Sequence, residues 1–203
     1  MINTLNISNK YKTLLEIALI FIVPVLLVYF NIISNNFRLI VLVIITLVVF
    51  FIIFKEHWIF EILNIRINNL KNTFTPYFIF TTLGVATLIV FAGFLGKNQI
   101  SVNLYYLFFG WSIPISIVQE FLYRAFLIEK LRRVYTSSVI IILVNAVIFT
   151  FMHILYDQSL IILPMVFLSG AAFAWMYLKY PNLLLISLSH GILNFIAIWY
   201  GFF

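Results

Sequence analysis

The sequence predicts an all-α protein, a polytopic transmembrane bundle of about seven helices. Of its 203 residues, 65% are apolar and 9% are charged, whereas soluble domains are about half apolar and a quarter charged. Long apolar runs recur along the whole chain, and a membrane core about 30 Å thick needs about 20 such residues per helix. The basic residues stand singly beside these runs. These three observations indicate that the bilayer is the main solvent of the chain.

Seven predicted spans follow one another, at residues 14–34, 38–54, 75–95, 102–128, 137–156, 159–178 and 183–202. The second span is the shortest, but Arg38 and Lys55 flank it and can snorkel from its ends. Because the spans leave no room for a soluble domain, we expect residues 1–203 to form a single membrane domain.

The segment 56–74 has a different pattern. Apolar residues recur with helical spacing among Glu56, Glu61, Arg66 and Lys71, which is typical of an amphipathic helix on a membrane surface. We therefore expect an interfacial helix near 56–74.

The basic residues predict the orientation of the chain. With a cytoplasmic N-terminus, only Arg38 and Lys97 fall in outer segments, and nine basic residues fall in cytoplasmic segments, in line with the positive-inside rule. The nine are Lys10, Lys12, Lys55, Arg66, Lys71, Lys130, Arg132, Arg133 and Lys179. Seven crossings then place the C-terminus outside, and a short chain without a retention signal suits a bacterial inner (plasma) membrane.

Composition also excludes several kinds of site. The chain has no cysteine, which excludes disulfides, thiolate metal sites and cysteine nucleophiles. Its net charge of +6 is spread without a basic stripe or a nucleic-acid motif. We therefore expect the lipid bilayer, and no nucleic acid, as a partner.

Glu120 and Arg124 lie within the fourth predicted span. They are four residues apart, so they share a helix face and can pair across one turn. A charge at mid-membrane costs about 2.5–3.5 kcal/mol on insertion scales. One interpretation is a functional site, and the other is a self-neutralising ion pair that only fixes helix packing.

His153, His190 and Asn194 are polar residues in two other predicted spans. Either histidine alone would most simply be a hydrogen-bonded core residue. Together with Glu120, the three could satisfy one another in a shared pocket, whereas separate burial would leave several without partners. A shared pocket requires similar depths in the membrane, so we expect the fourth helix to continue to about Tyr135.

Such a pocket has the parts for acyl hydrolysis by water. A carboxylate in low dielectric, such as that of Glu120, can act as a base, and His and Asn side chains can donate to an oxyanion. Glu120, His153 and His190 could instead hold a zinc ion. The helical HExxH signature is absent, so the spacing leaves metal dependence open.

Three motifs resemble those of the CPBP family of intramembrane endopeptidases, which comprises CAAX proteases and bacteriocin-processing proteins and is also called Abi. The family motifs EExxxR, FxxxH and HxxxN occur in order as QEFLYR from Gln119 to Arg124, FTFMH from Phe149 to His153 and HGILN from His190 to Asn194. The resemblance covers roughly residues 105–200. It implies a catalytic core at 101–203, preceded by accessory spans at 1–100.

The resemblance implies hydrolysis of a peptide bond in a membrane-associated peptide or protein, by a mechanism described as metallo- or glutamic among relatives. One departure concerns the first Glu of EExxxR, often assigned as the base, which is Gln119 here. A neutral amide can position water but cannot take its proton.

We therefore expect an endopeptidase in which Glu120 activates water and Arg124 positions Glu120. In this hypothesis His153 and His190 bind the water or stabilise the oxyanion, and Asn194 orients His190 or donates to the oxyanion; Gln119 and Phe149 support the site. One alternative is an inactive relative that acts as a membrane scaffold or bacteriocin-immunity protein. Another is a proton or ion carrier that uses the same residues.

Overall fold

The computed structural model describes residues 7–58, 64, 67–156 and 159–202. Within this part of the chain all regular secondary structure is helical, as predicted. The helices form seven rods, which are α1 (residues 7–29), α2 (Arg38–Lys55), α3 (Leu70–Phe94), α4 (106–132), α5 (138–155), α6 (Ser159–Lys179) and α7 (Leu183–Trp199). Five of them, α1, α2, α3, α5 and α6, are long and apolar enough to cross a membrane, and α7 is a shorter apolar helix. The chain is therefore a multi-pass membrane protein.

The first of the rods ends five residues earlier than predicted, at Tyr29, and α3 begins at Leu70, five residues before its predicted span. The first turn of α3 therefore includes the last residues of the segment 56–74. Lys71 is compatible with this turn, because its long side chain can extend the amine past the apolar residues around it. Residues 56–58 form a turn. The rest of the predicted interfacial helix, at 59–63 and 65–66, lies outside the described residues.

Contacts between helix ends show that neighbouring rods alternate in direction. At one face, Lys130 near the end of α4 pairs with Glu16 in the first half of α1 and with Glu56 just after α2. At the same face, the Asn69 side chain before α3 donates to the carbonyl of Pro181, between α6 and α7. The starts of odd-numbered rods and the ends of even-numbered rods therefore meet there.

The opposite face shows the complementary contacts. Arg38 at the start of α2 lies over the ring of Tyr156, just after α5. The backbone N–H of Ile100, after α3, donates to the carbonyl of Trp199 at the end of α7. An up-and-down bundle of seven rods accounts for both sets of contacts; how many rods cross the membrane, and which face is cytoplasmic, stay predictions.

The central rod, α4, is not a regular α-helix. Two π-helical stretches, Tyr106–Ser112 and Phe121–Phe126, alternate with the α-helical stretches Ile113–Glu120 and Leu127–Arg132. Shorter irregular stretches occur elsewhere: a π-helical stretch at Ala18–Ile22 in α1, a 3-10 turn at Asn35–Phe37 before α2 and another at Met152–Leu155 at the end of α5. Wide π turns are frequent at functional sites.

The fourth rod passes residue 128 and ends at Arg132, and the backbone N–H of Tyr135 still bonds the carbonyl of Leu131. The helix therefore extends beyond the predicted span, as expected, but it ends at Arg132 and only a turn continues to Tyr135. Nearly every side chain from Phe121 to Leu131 is buried, so α4 forms the middle of the bundle.

A cluster of charges, the Lys130 cluster, joins the end of α4 to α1 and α2. Lys130 Nζ lies 2.9 Å from Glu16 and 2.5 Å from Glu56, and Arg133 lies 2.6 Å from Glu56. Trp58 donates to the same carboxylate. Burial alone would raise the pKa of Glu56, but the hydrogen bonds from Lys130, Trp58 and Arg133 outweigh it and lower the pKa to about 2.

Candidate active site

Glu120 sits at the centre of a buried polar group. Its Oε1 lies 2.6 Å from Nδ1 of His190, which α7 brings against α4. Its Oε2 lies 3.2 Å from Nε of Arg124, which is within ion-pair distance. The two atoms form no hydrogen bond, because the N–H of Arg124 is not directed at this oxygen. The side chain of Glu120 is 0% exposed and that of His190 is 5% exposed. A water molecule or ligand can therefore reach the Glu120–His190 pair only from the side of His190.

Arg124 is held by aromatic rings and by a backbone carbonyl. Its guanidinium carbon lies 4.4 Å from the ring centroid of Phe149 and 5.4 Å from that of Phe173. Its Nη2 donates, at 3.4 Å, to the carbonyl of Gly170, where α6 packs closely on α5. Cation–π contacts of desolvated cations contribute about 2 kcal/mol. They help to retain the buried charge beside Glu120.

The same rings position both histidines. The ring centroid of Phe149 lies 5.0 Å from that of His153 and 5.7 Å from that of His190, and Phe173 lies 5.0 Å from His190. His153 Nδ1 donates to the carbonyl of Phe149, one turn earlier on α5, at 3.0 Å. A carbonyl can only accept, so neutral His153 carries its proton on Nδ1.

A cavity of about 300 Å³ lies beside this polar group. The chemically active residues on its wall are Gln119, His153, Asn194 and Ser112, and its remaining lining is mostly apolar side chains of α1, α2 and α4. Gln119 is 6% exposed and Ser112 is 1% exposed. Within the described part of the chain, Gln119 Oε1 and Ser112 Oγ have no hydrogen-bond partner, so a ligand in the cavity could use both as acceptors.

The four predicted catalytic residues are thus close together but not on one surface. Glu120 and His190 contact each other, and neither is among the described residues that line the cavity. His153 and Asn194 line it together with Gln119. Asn194 donates to Ser116 Oγ at 2.9 Å rather than contacting His190.

The donor set does not fit a zinc ion. Among the described residues, no group of three or more His, Asp or Glu side chains is clustered as metal ligands. The Glu120 carboxylate faces the guanidinium of Arg124, which would repel a dication placed between them. The zinc alternative with Glu120, His153 and His190 therefore finds no support in this geometry.

Sequence reasoning missed some of the residues around the cavity. Ser112, on the cavity wall, and Ser116, which accepts from Asn194, precede the first motif by two turns and one turn, on the face that also carries Gln119. Helical spacing could have found them. Arg38 and Tyr156 also line the cavity. Arg38 lies far from the motifs in sequence, and only the folded chain brings it there, whereas Tyr156 lies three residues after His153.

Comparison with known proteins gives one match. The family model described as Type II CAAX prenyl endopeptidase Rce1-like matches residues 101–196, which contain all three motifs. No curated protein and no solved structure matches the chain. The matched region covers α4 to α7 almost completely, and α4, α5 and α7 carry Gln119, Glu120, His153 and His190. Residues 101–196 therefore match a family model of the CPBP intramembrane endopeptidases, and the resemblance predicted from the three motifs is confirmed over those residues.

Proposed function

We propose that this protein is an intramembrane endopeptidase in which His190, oriented by Glu120, activates water. The observation that carries the proposal is the 2.6 Å contact between His190 Nδ1 and Glu120 Oε1. A carboxylate that accepts from Nδ1–H fixes the tautomer of the ring and makes the opposite nitrogen, Nε2, the proton acceptor. This arrangement supplies a base although position 119 holds an amide.

The hydrolysis then follows ordinary acyl-transfer chemistry. His190 is not itself on the cavity wall, so in this scheme water reaches its Nε2 from the cavity beside it. Nε2 takes a proton from that water as the water oxygen bonds to the peptide carbonyl carbon. Amide N–H groups of Gln119 and Asn194 donate to the developing oxyanion. The imidazolium, stabilised by Glu120, gives its proton to the leaving amine as the C–N bond breaks. In this scheme His190 is the catalytic base, and Glu120 is a positioning residue that acts through it.

The test is cleavage of a membrane-anchored peptide library by the purified protein in lipid nanodiscs. We expect His190→Ala and Glu120→Gln each to lower the cleavage rate by about 10²–10⁴-fold, because either change removes the oriented base. His57→Asn is the matched control, since it removes the third histidine, which lies in the turn after α2. Wild-type rates in either Glu120→Gln or His190→Ala would refute the proposal.

A second candidate is an inactive relative that binds a membrane peptide without cutting it. Gln119 favours it, because its amide lies on the cavity wall, where it can bond a peptide backbone but cannot take a proton from water. This candidate predicts a wild type that binds peptide but does not cleave it, and a Gln119→Glu variant that gains cleavage. Cleavage by the wild type would contradict it.

A further inference from the structure

Arg38 is the only Arg or Lys among the described residues that line the cavity. Its guanidinium carbon lies 5.5 Å from the ring centroid of Tyr156. In the described part of the chain no carboxylate pairs with it, whereas Arg124 and Lys130 both have acidic partners. The cavity therefore has one positive charge on its wall that the described protein does not neutralise.

The position of Arg38 is fixed relative to the active-site motifs. Tyr156 stacks near His153, with the two ring centroids 5.5 Å apart. Because Tyr156 lies 5.5 Å from each, the guanidinium carbon is within about 11 Å of the His153 ring. An extended peptide advances about 3.3 Å per residue. An extended peptide therefore spans the distance from His153 to Arg38 with at most about three residues.

Few other groups on the cavity wall could bind an anion in place of Arg38. Its other polar side chains near the motifs, those of Ser112, Gln119 and Asn194, are uncharged, and most of the wall is apolar. Arg38 is exposed at the start of α2, so an anion that enters the cavity from that end of the bundle can reach its charge. The guanidinium fork also matches the two oxygens of a carboxylate.

We propose that Arg38 forms a subsite for a carboxylate of the peptide that occupies the cavity, within about three residues of the segment at His153. The carboxylate belongs either to an acidic side chain or to the C-terminus of the peptide. The inference rests on the proposed function for the peptide nature of the ligand, but not for its hydrolysis. The competing role for Arg38 is a membrane anchor that contacts lipid phosphate.

The experiment measures binding of fluorescent peptides to the protein in nanodiscs of zwitterionic lipid. One arm compares a free C-terminus with an amidated one. The other arm moves a single Asp along the peptide, with Asn at the same position as the neutral reference. Each pair is measured with the wild type, Arg38→Gln and Arg38→Glu. Lys97→Gln is the matched control, because it removes a positive charge from the same predicted outer side without touching the cavity lining.

We expect one carboxylate position to bind about tenfold more tightly than its neutral counterpart in the wild type and in Lys97→Gln. The preference disappears in Arg38→Gln and reverses in favour of the neutral peptide in Arg38→Glu. The arm that shows the preference identifies the source of the carboxylate.

Equal affinity of acidic and neutral peptides for the wild type would overturn the inference and leave the proposed hydrolysis untouched. The same would follow if Arg38→Gln kept the preference or altered only lipid retention. A carboxylate preference without cleavage would support the subsite and refute the hydrolysis. Failure of every peptide to bind would refute both.

Discussion

At the scale of single residues, the buried charges depend on one another. Arg124 is 0% exposed and neutralises Glu120. Removal of one partner from a buried pair costs about 3–5 kcal/mol, because the remaining charge is left without compensation. We therefore expect Arg124→Gln to lower the melting temperature of the detergent-solubilised protein strongly.

The double variant Glu120→Gln, Arg124→Gln tests the reason for that loss. It removes both charges, so we expect it to be more stable than Arg124→Gln alone. If the two substitutions destabilise additively, the pair does not carry the coupling that the structure indicates. The double variant still lacks the carboxylate that orients His190, so it separates stability from cleavage.

The residue scale also shows how far the sequence could predict the site. The motif spacing correctly brought Glu120 and Arg124 into contact, and the cost of buried polar groups correctly grouped His190 with Glu120. The sequence could not show that the adjacent residues Gln119 and Glu120 have different surroundings. Gln119 lines the cavity, whereas Glu120 belongs to the buried pair with Arg124. That division depends on how α5 and α7 pack against α4, which local spacing does not encode.

At the scale of elements, the contact of α4 with α7 places His190 beside Glu120. Gly191 allows this close approach, since a Cβ at that position would lie 3.4 Å from Ile113 Cα and would overlap the Ile113 side chain. Overpacking of this kind costs about 1–3 kcal/mol. We expect Gly191→Ala to lower the melting temperature and the cleavage rate together, because it separates the two helices.

Gly93→Ala is the control for that prediction. A Cβ at Gly93, on α3, would meet nothing within 4 Å, and alanine favours helix over glycine by about 0.5–1 kcal/mol. We expect this variant to be as stable as the wild type or more so. Equal losses in both alanine variants would contradict the role of Gly191 in the approach of α4 and α7.

The element scale also limits what the sequence could predict. Lengths of apolar runs predicted seven rods, because each rod must cross the same hydrocarbon thickness. They did not predict the π-helical stretches of α4, since the length and composition of an apolar run do not distinguish a π-helical turn from an α-helical one. The first turn of α3 was also assigned to a surface helix, because Lys71 interrupts the apolar pattern.

At the scale of the whole molecule, the Lys130 cluster links α1, α2 and α4 and makes stability depend on pH. Glu56 has a pKa of about 2 in the fold against an ordinary value of 4.5. A lowered carboxylate pKa stabilises the fold above the ordinary value, and the contribution is lost as the pH falls towards the folded value. We expect the melting temperature to fall between about pH 4.5 and pH 2.

Glu56→Gln should lower the melting temperature at neutral pH and flatten its decline in acid. Glu129→Gln is the control, because Glu129 pairs only with the exposed Arg132 at 3.3 Å in the described structure, and such surface pairs contribute little. If the melting temperature of Glu56→Gln fell in acid as much as that of the wild type, Glu56 would not be the carboxylate that makes stability depend on pH.

The alternation of the seven rods gives a further prediction for the whole molecule. The chain has no cysteine, so single cysteines report accessibility without background. We expect Lys179→Cys to react with a membrane-impermeant thiol reagent only from the cytoplasmic side, and Lys97→Cys only from the opposite side. Labelling of both from one side would contradict the alternation, and reversed sides would contradict the orientation predicted from the basic residues.

The π-helical stretch Phe121–Phe126 sets the rotational phase between two parts of α4. Glu120 lies before it and Lys130 lies after it, and each residue of an α-helix advances the direction of its side chain by about 100°. If the same residues were wound as a regular α-helix, Lys130 would turn away from Glu56 or Glu120 would turn away from His190. The wide turns therefore fix the angle between the part of α4 that carries Glu120 and the part that carries Lys130.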